Sequence, residues 1–297
     1  MISIVIVTYN SAGVLADCLR SLDNAEIVVV DNASSDDSAG IAKNAGVRVI
    51  ANRENRGFAA ACNQGVAATS GDLVLILNPD TVLLEGLDAL AETLAQDPQA
   101  GAAAGVLVDA STSRTQAGFS VRRLPTFASL ACEVLGVNRL WPGNPVNRRY
   151  RALDIDLRQR QKVEQPAGAC LLVKRRVWDQ LHGFDERFTP LWFEDVDFCL
   201  RLQQAGFAIW LEPRCRWRHC GGHSLEKMGL KERQLYWYGN LVYYVEKNIG
   251  SAAALGMRVF IGIGACARIA GALTSGRKGQ TGAFRAVLKL AWKGQAS

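Results

Sequence analysis

The first hundred residues alternate between short runs of apolar, β-branched residues and longer stretches with helical spacing. The apolar runs are Ile2 to Thr8, Ile27 to Val30, Val47 to Ala51 and Leu73 to Leu77. Runs of this length that are apolar almost throughout are typical of strands covered on both faces. Because helical stretches lie between them, the alternation predicts an α/β fold with a mostly parallel central sheet, right-handed crossovers and flanking helices.

The alternation stops between about Ala110 and Gln165, where prolines and a cluster of arginines interrupt it. We expect irregular, partner-facing structure in this region. Order resumes with an apolar run at 167–173, followed by an acidic and aromatic segment, Phe184 to Phe198, that leads into a helix. Residues 225–249 have helical spacing, and two basic, hydrophobic stretches close the chain.

Composition excludes several classes of protein. With 49% hydrophobic and 21% charged residues over 297 positions, the chain is neither disordered nor fibrous. Its eight cysteines contain no C-x-x-C pair, so a disulfide scaffold and a structural zinc site are disfavoured and a reducing cytosol is expected. The N-terminus has no basic segment before its apolar run, so we predict no secretory signal.

The net charge of +6 comes from the C-terminal segment. Residues 251–297 hold seven basic residues and no acid, which leaves 27 basic residues against 28 acidic ones in the first 250. The first 250 residues are therefore nearly neutral, so a uniformly basic surface is not expected there and a nucleic-acid partner is disfavoured.

Two polar groups follow the first two predicted strands, Thr8-Tyr9-Asn10 and Asp31-Asn32. Ligands of open α/β sheets bind beyond the carboxyl ends of the strands, so a nucleotide is expected here. The Asp31 carboxylate could accept the imide N–H of a pyrimidine, and Tyr9 offers a ring for stacking. The alternative is that Asn10 and Asp31 only cap the helices that follow. Neither a G-x-G-x-x-G nor a Walker A motif is present, which weakens the dehydrogenase and NTPase hypotheses.

The fourth predicted strand ends in Asn78-Pro79-Asp80. A carboxylate at this edge suits Mg²⁺ or Mn²⁺, either of which can bridge a diphosphate. A simple turn is the alternative interpretation. His219 is a second candidate metal ligand, and an ordinary histidine is the alternative there.

The sharpest local pattern is residues 192–198, in which three carboxylates stand among large apolar side chains. Asp197 precedes Arg201 by four residues, which predicts an ion pair on a helix. Glu194 and Asp195 would suit the positive end of the helix dipole. Burial among aromatic residues would raise a carboxylate pKa, so one of this pair is a candidate general base.

Taken in order, these motifs resemble those of the inverting GT-A glycosyltransferases, over roughly residues 1 to 225, and most closely the rhamnosyltransferase-like branch. The motifs are residues 4–10, Val30 to Ser34, Asn55 to Phe58, Asn78 to Asp80, Gly168 to Cys170, Gly183 to Asp185, Glu194 with Asp195, and His219.

The resemblance implies a role for each matching position. Asp80 and His219 would bind a divalent metal, with Asn78 in place of the first acid of the Asp-x-Asp motif. Asp195 would be the catalytic base, with Glu194 beside it facing the acceptor, and Trp192 and Phe193 would contact that acceptor. The positions implied for the donor are Thr8, Tyr9, Asn10, Asp31, Arg56, Gly57, Asn78 and Gly168.

The resemblance thus implies a GT-A catalytic domain at 1–225 and C-terminal helices at 226–297. The expected reaction is inverting transfer of rhamnose from dTDP-rhamnose to a hydroxyl of a saccharide or polyprenol-linked acceptor in cell-wall or polysaccharide biosynthesis. Alternatives are another donor, such as UDP-galactofuranose or a UDP-hexose, or a nucleotide-sugar-binding module without turnover. A homo-oligomer is left open.

The C-terminal stretches predict association with the cytoplasmic face of a membrane. Arg258 and Arg268 leave nine residues between them, against the roughly 20 that a spanning helix needs, so spanning is disfavoured. Apolar residues at 284, 287, 288, 291 and 292 have helical spacing beside basic ones, as in a helix lying on anionic lipid. The alternative is that this face packs on the catalytic domain or on a second subunit.

Overall fold

A computed structural model describes residues 1–23, 25–221, 228–276 and 278–293. These residues form two compact units. The first comprises the described residues of 1–124, 151–190 and 194–224, and the second those of 125–150, 191–193 and 225–297. The predicted domain boundary at 225 lies outside the described residues, and the units divide the chain differently, because residues 125–150 and 191–193 group with the C-terminal helices.

The strands all belong to the first unit. They are β1 Ile2–Thr8, β2 Glu26–Asp31, β3 Arg48–Ala51, β4 Leu73–Leu77, β5 Thr81–Glu85, β6 Ala100–Asp109, β7 Val121–Arg122, β8 Gln161–Val163, β9 Gln165–Pro166, β10 Cys170–Lys174 and β11 Ala208–His219. Its helices are α1 Ala12–Arg20, α2 Ser38–Asn44, α3 Phe58–Ala67, α4 Leu87–Gln96, α8 Arg175–Gln180 and α9 Glu194–Gln204. The helices of the second unit are α5 Phe127–Leu135, α6 Val137–Leu140, α7 Pro145–Tyr150, α10 Leu230–Asn248, α11 Ser251–Thr274 and α12 Lys278–Lys293.

The central sheet has the strand order β3-β2-β1-β4-β10-β6-β11-β5, and β8 pairs with β11. Strands β1 to β4 are parallel, as the alternation predicts, and so are β6 and β11. Strand β10 runs antiparallel between β4 and β6, and β5 runs antiparallel to β11. The two late strands therefore bring residues near positions 168 and 219 to a sheet whose first four strands come from the first eighty residues.

Both faces of the sheet are covered, as the nearly continuous apolar character of its strands predicts. Val5 and Val28 belong to the core cluster on one face, and Ile4, Val29 and Leu75 belong to that on the other; all five are fully buried.

The expectation of irregular structure between 110 and 165 was wrong for residues 127–150, which form three short helices. The prolines that suggested a loop stand where helices tolerate them. Pro125 precedes the N-cap Thr126, whose side chain closes a capping box with Ser129, and Pro145 is the first residue of α7.

The three long helices of the second unit pack on one another, and α5 packs on α11. Among the described residues, α11 is the one helix long and apolar enough to cross a membrane by length and composition. Its two arginines turn into the unit: Arg258 donates to the Leu290 carbonyl at 3.3 Å, and Arg268 donates to the carbonyls of Glu133, Val134 and Gly264.

The apolar face of α12 differs from the prediction that it lies on lipid. Val287 and Ala291 are buried, and α12 packs on α10 and α11. Its apolar side is therefore largely covered by the chain's own helices, although Trp292 remains 72% exposed.

Candidate active site

The ends of β1 and β2 lie side by side, with Thr8 paired to Asp31 in the parallel register. Both side chains are buried, and Thr8 Oγ1 and Asp31 Oδ1 have no hydrogen-bond partner among the described residues. Buried polar atoms are nearly always paired, so these two oxygens, on neighbouring strand ends, are candidates for hydrogen bonds to a ligand. Tyr9 follows directly and is 39% exposed.

The capping alternative is not what the structure shows. Asn10 Oδ1 accepts from the Ser35 N–H at 2.7 Å, and Asp31 Oδ2 accepts from the Ser34 N–H at 3.2 Å, so both stabilise the loop after β2. The N-terminus of α1 is capped by a distant residue, because the Ala12 N–H donates to Asp36 Oδ2 at 3.0 Å.

Asn32 connects the end of β2 to the loop that carries Arg56 and Gly57. Its Oδ1 accepts from Asn52 Nδ2 at 3.1 Å and from the Arg56 N–H at 3.0 Å. Its Nδ2 donates to Asn55 Oδ1 at 2.8 Å and to the Gly57 carbonyl at 3.2 Å. The sequence alone did not predict this role for Asn32. The clustering of asparagines at 32, 52 and 55 was the available signal.

Gly57 needs to be glycine for two reasons. Its φ is +85°, and a Cβ there would stand 3.1 Å from Thr189 Oγ1 and 3.3 Å from the Pro190 carbonyl oxygen. The side chain of its neighbour Arg56 is exposed. The structure thus places Arg56 at the surface of a loop held firmly on both sides.

Asp80 and His219 meet because β5 pairs with β11 and sets Thr81 opposite His219. The Nε2 atom of His219 lies 3.7 Å from Asp80 Oδ1, and both side chains are buried. Asp80 Oδ2 accepts from the Gly221 N–H at 3.1 Å, whereas Oδ1 has no hydrogen-bond partner among the described residues. Burial lowers the pKa of His219 and the Asp80 carboxylate opposes that effect only in part, which favours the neutral imidazole.

Gln116 fixes the tautomer of His219. Its Nε2 donates to the His219 carbonyl at 3.1 Å, and because a carbonyl can only accept, the other amide atom must be the oxygen. That oxygen lies 3.1 Å from His219 Nδ1, which must then be the donor. Nε2 is left with its lone pair on the side of Asp80. Gln116 was missed by sequence reasoning, since nothing in its local pattern marks it.

These residues fit a divalent cation. A carboxylate oxygen without a partner and an imidazole nitrogen with a free lone pair are suitable ligands, and the Gln116 contact is of the kind that orients metal-bound histidines. Within residues 1–23, 25–221, 228–276 and 278–293 no group of three or more His, Cys, Asp or Glu side chains is gathered for a metal. Asn78 is half-buried, and its backbone N–H donates to the Ala169 carbonyl at 2.9 Å.

Asp195 stands in the first turn of α9 and is held by several donors. Oδ2 accepts from the Gly168 N–H at 3.0 Å and, at 3.4 Å, from Gln165 Nε2, and Oδ1 accepts from the Val196 N–H at 2.8 Å. Burial raises the pKa of this carboxyl, and the backbone N–H groups and the charge of Arg122 oppose the rise only in part. A carboxylate with a raised pKa is suited to accept a proton from a hydroxyl.

The neighbouring acids have different surroundings. Asp197 is fully buried and forms the predicted ion pair, with Arg201 Nε at 2.7 Å from its Oδ2. Arg201 also donates to the Leu181 and Gly183 carbonyls, so this pair joins α9 to the preceding loop. Glu194 is buried at the start of α9. The structure thus gives Asp197 a structural role and leaves Asp195 and Glu194 as the acids of interest.

The two aromatic residues expected at the acceptor belong to the second unit. Trp192 and Phe193 have φ values of +79° and +74°, which L side chains rarely adopt. Asn240 supports this segment, since its Nδ2 donates to the Leu191 carbonyl at 2.8 Å and to the Trp192 carbonyl at 3.3 Å. Phe193 is buried against α10, whereas Trp192 lines a cavity of that unit.

Comparison with known proteins identifies the family. The model of the family described as "Glycosyl transferase family 2" matches residues 3–165, more than half of the chain. The chain belongs to glycosyl transferase family 2. The GT-A resemblance inferred from the motifs is thereby confirmed, and so is the prediction that the protein is a glycosyltransferase.

Two relatives of this glycosyltransferase are themselves named as sugar transferases. It is 29% identical over 243 residues, 75% of this chain and 77% of the relative, to an N-acetylglucosaminyl-diphospho-decaprenol L-rhamnosyltransferase of Mycobacterium tuberculosis. It is 23% identical over 213 residues to the low-salt glycan biosynthesis hexosyltransferase Agl10 of Haloferax volcanii, covering 70% of this chain and 63% of the relative.

Solved structures share the fold of this glycosyltransferase. One is the mannosyltransferase PcManGT of Pyrobaculum calidifontis, in complex with GDP-Man and Mn²⁺, with a TM-score of 0.57 at 18% identity. The match covers 99% of this chain and 88% of the mannosyltransferase chain. TarS 1-349 of S. aureus in complex with UDP has a TM-score of 0.51 at 14% identity, with 99% of this chain and 92% of its own covered.

Proposed function

We propose that this glycosyltransferase moves rhamnose from dTDP-rhamnose to a hydroxyl of a lipid-linked saccharide, with inversion at the anomeric carbon. The observation that carries the chemistry is the Asp195 carboxylate, which has a raised pKa and is oriented by the Gly168 N–H. The similarity to a rhamnosyltransferase that acts on a diphospho-decaprenol acceptor supports the choice of donor and acceptor.

The donor's nucleoside is assigned to the ends of β1 and β2. The unpartnered Thr8 Oγ1 and Asp31 Oδ1 can accept hydrogen bonds from a pyrimidine base, and the exposed ring of Tyr9 can stack on it. Asn10, Arg56, Gly57, Asn78 and Gly168 complete the proposed donor site. A pyrimidine is common to dTDP-rhamnose, UDP-galactofuranose and UDP-hexoses, so the sugar must be distinguished by assay.

Asp80 Oδ1 and His219 Nε2 are the atoms proposed to hold Mg²⁺ or Mn²⁺. Such an ion would supply positive charge to the departing nucleoside diphosphate. Gln116 would keep His219 in the tautomer that can bind it. Asn78 is uncharged where the Asp-x-Asp motif has its first acid. Asp80 is therefore the residue that supplies negative charge to the proposed metal site.

Asp195 performs the proton step. As the acceptor hydroxyl oxygen attacks the anomeric carbon, its proton passes to Asp195, a C–O bond forms, and the bond to the diphosphate breaks with its electron pair leaving on the phosphate oxygen. A single displacement inverts the anomeric centre and needs no covalent enzyme intermediate. Glu194, next in the chain, would face the acceptor.

We further propose that the enzyme works at the cytoplasmic face of a membrane, with the outer side of α11 as its lipid contact. Four large residues at helical spacing are exposed there: Leu255, Val259, Ile263 and Leu273, at 67, 42, 54 and 62%. Arg258 and Arg268 are bonded inside the unit, and no acid occurs in residues 251–297. The same unit also exposes Arg285 and Lys289 on α12, and apolar surface together with basic side chains suits an anionic bilayer.

Transfer assays test the reaction. Purified enzyme with Mn²⁺ and a short-chain polyprenyl diphosphate saccharide should release dTDP from dTDP-rhamnose faster than UDP from UDP-galactofuranose or UDP-hexoses. The anomeric coupling of the product should show inversion. Tight nucleotide binding with no turnover on any acceptor would favour the binding-module alternative, and faster turnover of another donor would move the sugar assignment while leaving the reaction class intact.

A further inference from the structure

A cavity of about 320 Å³ lies within the second unit. Its lining is aromatic and cationic, with Trp192, Trp237, Tyr238 and Phe284 beside Arg233 and Arg268, together with Glu133 and Gln234. This volume is within the range of small-molecule sites, and its mixture of flat apolar rings with a few charges is typical of them. None of the donor, metal or base residues described above lines it.

The two arginines of the cavity differ in their hydrogen bonding. Arg268 donates to three main-chain carbonyls and stacks on Phe284 at 5.5 Å, so its guanidinium is fixed in place. The guanidinium of Arg233, in the first turn of α10, has no hydrogen bond or ion pair to any of the described residues, although it is only half-exposed. Its five donors remain available to a ligand.

The remaining charge of the cavity leaves a net attraction for an anion. The one lining carboxylate, Glu133, accepts from Asn138 Nδ2 at 2.7 Å. The cavity is therefore lined by two positive guanidinium groups and one negative carboxylate, and that carboxylate already has a hydrogen-bond partner. A guanidinium binds phosphate oxygens in bidentate fashion, and the aromatic rings offer apolar surface to the C–H faces of a sugar.

We propose that this cavity binds the sugar phosphate end of the acceptor, with Arg233 on the phosphate and Trp192 and Trp237 against the sugar. The inference rests on the proposed function and extends it by assigning a separate acceptor site. The sequence supports it, because Trp192 stands only three residues before Asp195, the proposed base.

Arg233 and Trp192 act in this proposal through binding, so the test measures binding directly. The probe is N-acetylglucosamine 1-phosphate, titrated against the full-length protein with tryptophan fluorescence as the readout, since two tryptophans line the cavity. Wild-type protein should show saturable quenching. Arg233→Gln should raise the Kd at least about tenfold, because it removes a charge-assisted contact.

Lys231→Gln is the matched control, because it removes the same charge from the same helical turn at an exposed position that does not line the cavity. It should leave the Kd within about twofold. With Mn²⁺ present, Asp80→Ala should also leave it unchanged, since that variant reports metal-dependent binding at the donor's phosphate site. An unchanged Kd in Arg233→Gln, or a weakened one in Asp80→Ala alone, would overturn the proposal.

A Trp237→Leu variant provides a second test that does not depend on charge, and should weaken the sugar phosphate more than inorganic phosphate. Equal weakening of both ligands would overturn the proposed sugar contact. Steady-state kinetics separate this proposal from the proposed function. If the wild type transfers sugar but Arg233→Gln keeps the acceptor KM, the cavity assignment fails alone. If no donor is turned over while Arg233 still governs probe binding, the proposed function fails and the site stands.

Discussion

The amide N–H of Gly168 donates to Oδ2 of Asp195 at 3.0 Å, and a Cβ at position 168 would stand 2.9 Å from the same oxygen. The contact joins the segment before β10 to the first turn of α9. Glycine at 168 is therefore a condition for the present position of the carboxylate, since any larger residue must displace it.

Gly168→Ala should consequently lower the transfer rate with little loss of stability. A displacement approaching 1 Å at a reacting group costs on the order of 10²-fold in rate. The rate and the melting temperature should be measured together. Gly143→Ala is the control, because a Cβ there meets nothing within 4 Å. A wild-type rate in Gly168→Ala would mean that the placement of Asp195 does not matter for catalysis.

Asp195→Asn should reduce turnover by at least ~10²-fold while donor affinity stays within a few fold, because the amide keeps the shape but cannot accept the proton. Rates and nucleotide binding are the two measurements. Glu194→Gln is the companion variant and should retain more activity. Near wild-type turnover in Asp195→Asn would move the base to Glu194.

The raised pKa of Asp195 also predicts two pH dependences. The rate should rise with pH through that pKa, since only the ionised form accepts a proton. Because burial disfavours ionisation in the folded state, this group's contribution to stability is greatest below its unfolded pKa and declines as pH rises through the folded one. Asp195→Asn should remove this decline, so its melting temperature relative to wild type should increase with pH across that interval. A constant difference would contradict the desolvation argument.

Asp80→Ala, His219→Ala and Gln116→Leu should each weaken Mn²⁺-dependent binding of dTDP. Asp80→Ala and His219→Ala remove the proposed ligands. Gln116→Leu removes the hydrogen bond that fixes the tautomer of His219, and loss of such a supporting contact costs about 10 to 100-fold in metal affinity. Calorimetry with and without Mn²⁺ measures the effect, and the difference from wild type should vanish without metal. If His219→Ala titrates like the wild type, His219 is a structural residue.

Asn32→Leu should destabilise the protein by about 1–3 kcal/mol for each buried polar group left unpaired, and weaken donor binding through the loop that carries Arg56 and Gly57. Chemical denaturation and nucleotide titration measure the two effects. Asn44→Leu is the control, at an exposed position on α2. Full donor affinity in Asn32→Leu would show that this loop does not bind the donor.

Ile263→Glu should reduce binding of the full-length enzyme to anionic vesicles several fold, because it sets a charge in the apolar stripe of α11. Co-sedimentation at low and high salt measures it, with neutral vesicles for comparison. Leu140→Glu is the control, since Leu140 is 87% exposed on α6. If the wild type ignores vesicles and instead forms a dimer that Ile263→Glu disrupts, the stripe is a subunit interface.

The sequence was sufficient for the first four strands and the residues at their ends. Apolar runs covered on both faces have few alternative structures, and parallel strands necessarily bring their carboxyl ends to one edge, so Thr8 and Asp31 could be paired in advance. It was also sufficient for the ion pair of Asp197 with Arg201, because that contact depends only on helical spacing.

Only the tertiary structure decided which distant side chains support these residues. Gln116 and His219 are 103 positions apart, Asn240 and Trp192 are 48 apart, and Gln165 and Asp195 are 30 apart, yet the folded chain brings each pair into contact. Local spacing carries no information about such pairs, since they depend on strand register and helix packing. The surroundings of α12 could not be predicted for the same reason. An amphipathic helix has the same sequence pattern whether its apolar face lies on lipid or packs on protein, and only the structure shows that α10 and α11 cover most of this face.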